Sequence, residues 1–297
     1  MAHISENPFS LDGLWLKGNT HTHTTLSDGK VTPNDRLKQY LDHGYDFLAI
    51  TDHLKVFDSK DNPYSDLVVI NALEFHPQHP SSHSGDWHFI ALDVEANPEK
   101  VSTETSAQIQ VNQFKKQGGY IVLCHPYWCS FSREELKMIK GIDAVEVYNS
   151  VCEKLNGKGD SSSEFDSLLL LGDRPHAIAS DDCHDIDECF GGWIVVKAAN
   201  KDKDSIMNAI RRGAYYSSCG PEFMNLEFKN GEVHVECSNV KKISFISRAQ
   251  SGAQFKAKED EFLTSASMQT KRFNKFVRVQ IEDQYGKKAW SQAYEID

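Results

Sequence analysis

No CxxC pair occurs in this chain, although it holds seven cysteines: Cys124, Cys129, Cys152, Cys183, Cys189, Cys219 and Cys237. An odd, scattered set of this kind supports neither a zinc ribbon nor a disulfide framework, and it reads as reduced thiols in a cytoplasmic protein. No apolar run approaches the roughly 20 residues that a membrane span requires. The opening MAHISENPFSLDG lacks the basic and apolar regions of a signal peptide. Basic residues are outnumbered, 32 Lys and Arg against 43 Asp and Glu, and the formal net charge of -11 argues against a nucleic-acid-binding face. Neither a membrane nor a nucleic acid is therefore expected as a partner, and the sequence is silent on oligomeric state. Internal repeats and low-complexity linkers are missing as well. Hydrophobic residues make up 39% of the 297, enough for one large core or for a large and a small one.

Against these absences stands a series of short apolar runs, each meeting a histidine or a polar cluster. His21-Thr22-His23 opens it, with Asp28 five residues on. Phe47 to Ile50 runs into Asp52-His53, Leu67 to Ile70 leads to Glu74, and His88 directly precedes Phe89 to Leu92. Tyr120 to Leu123 ends at His125, Ala144 to Val147 at Tyr148-Asn149, and Ala177 to Ser180 at Asp181-Asp182-Cys183-His184. Buried parallel strands present a site in this way, at their carboxyl ends. Residues i and i+2 of a strand share one face, so His21 with His23, and Asp182 with His184, can each grip one ion. Taken singly, the groups have plain explanations: an accidental HxH, a turn aspartate at Asp28, a hydrogen-bonded structural pair at Asp52-His53. Glu74 is harder to dismiss, because a buried carboxylate is costly unless it is paired or bound to a metal. The recurrence at consecutive strand ends decides for a multinuclear metal centre, and so for a metallohydrolase.

Such mixed imidazole and carboxylate shells suit Zn, Mn or Fe(II) without help from cysteine. Cys183, between two candidate ligands on a strand, is expected to point away from them. Asp52, Asp181 and Glu146 read either as ordinary solvated or capping carboxylates or as groups that orient the imidazoles.

Strands and helices alternate up to about residue 221. Helices are expected from Pro33 to Gly44, Ser102 to Gln117, Ser132 to near Gly141 behind a capping box, Ser161 to Leu171, and Lys203 to Arg212. This alternation implies βαβ units, a parallel sheet, and a closed or nearly closed barrel. Beyond Gly220-Pro221 the pattern becomes all-β, with Asn230-Gly231 as a two-residue hairpin turn.

The segments HTHTTLSDG, AITDH, ALEFH, LCHPYW, VEVYN and ASDDCH, in this order between Lys17 and about Gly220, resemble the motifs of the PHP family, the polymerase and histidinol phosphatase metallohydrolases. KGNTHTHTTLSDGK and YYSSCGPEF also resemble the branch that includes carbaryl-type carbamate hydrolases, whose members are typically regarded as PHP-like phosphoesterases and often carry a C-terminal β-domain. The resemblance implies an α/β fold: a distorted (β/α)7 TIM-like barrel over residues 1–221, then a small sandwich-like β-domain over 222–297. It implies two to three divalent ions (Zn, Mn or Fe). His21, His23, Glu74 and Asp182 would hold the first. Glu74 would bridge to a second, completed by His88 and His125, and Asp28, His53 and His184 would hold a third. His88 is preferred over His76, His79 and His83 because Trp87-His88 directly precedes an apolar strand, as in relatives; the other three are expected in a solvated loop or lining the pocket.

The expected reaction is cleavage of a small phosphomonoester by a metal-bridging hydroxide, with Glu74, Asp182 and His53 at its heart and a small, phosphorylated molecule as substrate. Lys55 and Arg174 are candidates for a cation at the pocket mouth, against a plain surface role for each. Tyr127, Trp128, Tyr148 and Asn149 are candidates for pocket walls. Carbamate, ester or amide hydrolysis on the same centre is the alternative, and the pocket discriminates: cationic lining favours a phosphoester, an apolar and cation-free lining favours the alternative. Only about 50 residues separate Glu74 from His125, so no lid domain of the kind found in nucleotide-cleaving relatives fits between them.

Overall fold

The computed structural model describes residues 5–80, 83–98 and 105–296. Nine strands fill the first part: β1 (Leu14–Asn19), β2 (Phe47–Ile50), β3 (Val68–Phe75), β4 (Phe89–Leu92), β5 (Tyr120–Leu123), β6 (Ala144–Asn149), β7 (His176–Ser180), β8 (Trp193–Ala198) and β9 (Tyr215–Ser218). Interleaved are α1 (Pro33–Asp42), α2 (Ala107–Lys116), α3 (Arg133–Leu136), α4 (Ser150–Asn156), α5 (Ser162–Leu170) and α6 (Lys203–Arg211). Local chemistry sets their ends. Thr32 caps α1 by accepting from the Asp35 amide, with Pro33 at the first turn, and Ser132 and Glu135 form the expected capping box of α3. That helix is a single turn, however, and does not extend to Gly141. The proposed start of the second helix at Ser102 lies outside the described residues.

The first seven strands run β1-β2-β3-β4-β5-β6-β7 within one sheet, and β8 and β9 continue it from β1 on the other side. Pairs β1–β2, β2–β3, β5–β6 and β6–β7 are parallel. Four others are not: β4 is antiparallel to both neighbours, and β8 is antiparallel to β1 and β9. This corrects the wholly parallel sheet expected from the sequence. Among the described residues no helix lies between Phe75 and Phe89, so the chain returns beside β3 instead of crossing over it.

Ladder hydrogen bonds do not close the sheet into a ring among the described residues. Instead, side chains satisfy the outer edge of β7. Ser217 Oγ and Gln292 Nε2 donate to the Ala177 carbonyl, while the Ala179 and Ala177 amides donate to Ser217 Oγ and Gln292 Oε1. At the carboxyl end a parallel bridge joins Thr22 to Cys183, with Asp182 N donating to His21 O at 2.8 Å and His23 N to Cys183 O at 3.0 Å. The two ligand-rich segments are thus tied backbone to backbone.

The tail contributes β10 (Phe223–Lys229), β11 (Glu232–Val240), β12 (Lys242–Ile246), β13 (Gly252–Lys256), β14 (Leu263–Gln269), β15 (Phe276–Glu282), β16 (Lys288–Trp290) and β17 (Tyr294–Glu295). The turn between β10 and β11 is made by Asn230 and Gly231, at φ 54° and 73°, the left-handed pair that a tight hairpin needs. β10, β11 and β14 form a separate three-stranded sheet, whereas β16 pairs with β9 and carries β15, β12 and β13 onto the large sheet. The tail and the first part therefore share one continuous sheet.

Candidate metal centre

Every predicted ligand lies at the carboxyl end of β1, β2, β3, β5 or β7, or just before β4, which runs the other way. Glu74, on β3, is the hub. Its Oε1 is 2.7 Å from His88 Nδ1, and its Oε2 is 3.2 Å from His23 Nε2, 3.2 Å from His53 Nδ1 and 3.4 Å from His21 Nε2. Asp182 Oδ1 lies 3.1 Å from both His21 Nε2 and His23 Nε2, and its Oδ2 is 3.8 Å from His125 Nε2. Asp28 faces His23 Nδ1, His53 Nε2 and His184 Nε2, each at 3.4 Å. Donor atoms close enough to share an ion occur in three groups that use only these residues: His23, Asp28, His53 and His184; His21, His23 and Asp182; Glu74, His88 and His125.

Donor chemistry tests whether cations fit. His21 Nδ1 sits 2.6 Å from Glu146 Oε1, which fixes the proton on Nδ1 and leaves Nε2 as a lone pair in the neutral ring. That lone pair meets His23 Nε2 at 3.2 Å and two carboxylate oxygens, a convergence of acceptors. Buried His23 Nδ1 and His53 Nδ1 face only the carboxylates of Asp28 and Glu74, without a well-aligned hydrogen bond to either. Such a set is stable only with positive charge at its centre, supplied by bound cations or by protons. In the metal-free chain protons supply it. Burial opposes charge on His21, yet Asp182, Glu146 and Glu74 outweigh it and hold its pKa well above the ordinary value. His23 is likewise raised against its burial, by Asp182, Asp28 and Glu74. Burial would raise Glu74 and Asp182, but the imidazoles hold both well below the usual carboxylate range. The residues fit divalent ions.

Three of the nine non-glycine residues held at positive φ among the described residues lie here. Asp182 and His125 have positive φ, 60° and 28°, as does Leu54 beside His53, at 56°. For non-glycine residues this conformation is costly and clusters at functional sites.

The supporting carboxylates divide by task. Glu146 orients His21 as described, and also accepts from the His125 amide and from Asn149 Nδ2. Asp52 touches no imidazole. It accepts from the amides and hydroxyls of Thr24 and Ser27 and so holds the turn that presents Asp28. Asp181 accepts from the amides of Phe190, Gly191 and Gly192 and from Tyr40 and Asn19, fixing the loop after the last ligands. Cys183 points away from the donors into the core beside Tyr40, as expected.

A cavity of about 360 Å³ opens over the centre, lined by seven of the candidate ligands together with Trp128, Val151, Cys152, Leu155 and Glu188. No lysine or arginine lines it. Lys55 donates to the Leu26 carbonyl on the outer side of the Asp28 turn. Arg174 precedes β7 and so stands at the opposite end of the sheet, bound to Glu295 and the Leu169 carbonyl; the expectation that it guards the pocket mouth is corrected. Tyr127 is exposed beyond the lining, and Tyr148 stacks on Trp290 instead of facing the cavity. Asn149 lies beneath the centre, 3.1 Å from Asp182 Oδ2, and caps α4. Of the alternative histidines, His79 is buried against Trp87 and Phe131, His83 is exposed, and His76 packs edge-on against His53. Sequence reasoning missed the α4 wall, although Val151, Cys152 and Leu155 between the Asn149 cap and Gly157 carry helical spacing.

No family model and no curated protein matches the chain. Among solved structures, it is similar over 100% of its length to 98% of a two-domain protein from Bacteroides vulgatus containing a predicted PHP-like metal-dependent phosphoesterase, with TM-score 0.52 and 16% identity. Looser likenesses are to an amidohydrolase from Chromobacterium violaceum (TM-score 0.46, 14% identity, 58% of this chain and 88% of that one) and to PsfC from Pseudomonas syringae (TM-score 0.46, 12% identity, 66% and 87%). The likeness to the Bacteroides protein, over nearly the whole of both chains, is one of fold: a mixed α/β sheet continued by an antiparallel β region.

Proposed function

We propose that the chain is a metal-dependent hydrolase of small esters, with a phosphoester as the leading substrate class. The reading rests on Glu74, whose two oxygens reach separate groups of imidazoles, the placement a bridging carboxylate requires. His21, His23 and Asp182 would hold one ion beside it, His88 and His125 a second, and Asp28, His53 and His184 a third. Divalent ions at these places would activate water and polarise the scissile ester.

The chain's own residues do the rest. Glu146 keeps the His21 ring aimed at Glu74 and Asp182. Asp182 and His53, which line the cavity beside Glu74, are the candidate proton-accepting groups. Trp128, Val151 and Leu155 form an apolar wall for the substrate's organic part. Charge supports a phosphoester when three ions are bound: Asp28, Glu74, Asp182, Glu146 behind His21 and Glu188 on the wall supply five negative charges against six. The net positive centre attracts an anionic phosphoryl group without help from lysine or arginine.

The cation-free lining also favours the second reading, hydrolysis of a carbamate, carboxylic ester or amide. One assay separates them: phosphate release from a panel of phosphomonoesters by Mn- and Zn-reconstituted protein, beside Glu74→Ala. Release that vanishes in the variant supports the phosphoester reading. Metal-replete protein that releases no phosphate but cleaves aryl carbamates or esters establishes the second.

A further inference from the structure

The loop that presents Asp182 and His184 also carries two cysteines that the hydrolytic chemistry leaves unused. Cys183 Sγ and Cys189 Sγ are 3.0 Å apart, both sulfurs buried on the far side of the loop from the cavity. A disulfide of about 2.05 Å forms from such a contact by small side-chain rotations.

A second observation singles out Cys189. The Arg36 guanidinium is fully buried, and it donates to the carbonyls of His23, Cys183, His184 and Asp185, to Gln39 Oε1, and to Cys189 Sγ at 2.7 Å. None of these acceptors is a carboxylate. The Asp185 carboxylate lies near enough to feel this buried cation, and of the groups that accept directly from it only the sulfur gains a charge on ionising. The hydrogen bond between the two sulfurs lowers the Cys189 thiol against its burial, with Arg36 assisting, whereas burial pushes the other six cysteines up. One sulfur is poised to attack, and a second stands within reach to resolve the product.

We propose that Cys183 and Cys189 are a reversible dithiol–disulfide site behind the metal ligands, oxidised by small hydroperoxides with Cys189 as the attacking sulfur. The Cys189 sulfur attacks one peroxide oxygen and the O–O bond breaks. The other oxygen leaves as water or an alcohol, taking up the proton the thiol has lost, and Cys189 becomes a sulfenic acid. The Cys183 sulfur then attacks the Cys189 sulfur, the S–O bond breaks, and water departs with the Cys183 proton. Two thiols lose two electrons and one peroxide gains two. The bond closes a loop that contains His184, so oxidation would fix the backbone presenting that ligand.

The test is peptide mapping of the metal-loaded protein after graded treatment with hydrogen peroxide and alkylation. The expected result is a Cys183–Cys189 cross-linked peptide that forms before any other cysteine reacts and that dithiothreitol reverses. Cys189→Ser is expected to abolish the cross-link and slow the first oxidation about tenfold or more. First oxidation at another cysteine, over-oxidation of Cys189 without a cross-link, or no cross-link at all would overturn the proposal. Mapping of the unaltered chain decides the matter even if the variant does not fold.

Discussion

At the scale of single residues, the centre is a balance between buried carboxylates and the positive charge they need. Glu74, Glu146 and Asp182 are almost wholly removed from solvent, and in the metal-free chain protons on His21 and His23 offset them. Because both imidazoles are held above their ordinary pKa, they are protonated near neutrality, and a cation must displace those protons to bind. Raising the pH empties the same sites, so apparent metal affinity is expected to increase with pH, with protons released on binding. Titration calorimetry in buffers of different ionisation enthalpy measures this directly; binding without proton release would contradict it. Glu146→Gln keeps the shape but weakens the grip on His21 Nδ1, and a loss of affinity of about 10–100-fold is expected from chelator competition.

At the scale of elements, the site is held by loops at strand ends, and each loop has its own clamp. Asp52 clamps the Asp28 turn through four hydrogen bonds. Asp52→Asn replaces an acceptor with donors that face donors, at a cost of about 1–3 kcal/mol. We expect this variant to lose the ion held by Asp28, His53 and His184 while retaining the others, seen as a drop of one metal per chain. The strand ends were legible in the sequence because buried strands are short apolar runs and their polar neighbours stand out. Strand direction was not: an apolar run reads the same either way, so the antiparallel β4 and β8 escaped notice. The misplacement of Arg174 was avoidable, since a residue before β7 must lie a strand's length from ligands that follow it. Helix α4 was hidden by its brevity, and with it the apolar wall of the cavity.

At the scale of the whole molecule, the tail completes the structure of the first part. Gln292 satisfies backbone groups on the β7 edge, Trp290 stacks on Tyr148 and donates to Ser162, and β16 pairs with β9. Arg278, buried on β15, grips both oxygens of Asp166 on α5 at 2.6 and 2.8 Å. Removing that guanidinium with Arg278→Met is expected to cost about 2–3 kcal/mol, less than a wholly buried pair because Asp166 is partly exposed. Thermal unfolding should show a Tm several degrees lower; an unchanged Tm would mean that the tail and α5 are not coupled there. The change from alternating strands and helices to all-β near Gly220 was plain in the sequence. The shared sheet was not, because pairing between β9 and β16 joins residues some 70 positions apart. What the molecule assembles across that length is a candidate metal centre with Glu74 at its middle, and the most direct test is metal content per chain, by elemental analysis, in the unaltered protein and in Glu74→Ala. About two to three divalent ions in the former and no more than one in the latter is the expected result for a bridging carboxylate. Equal metal content in both would contradict it.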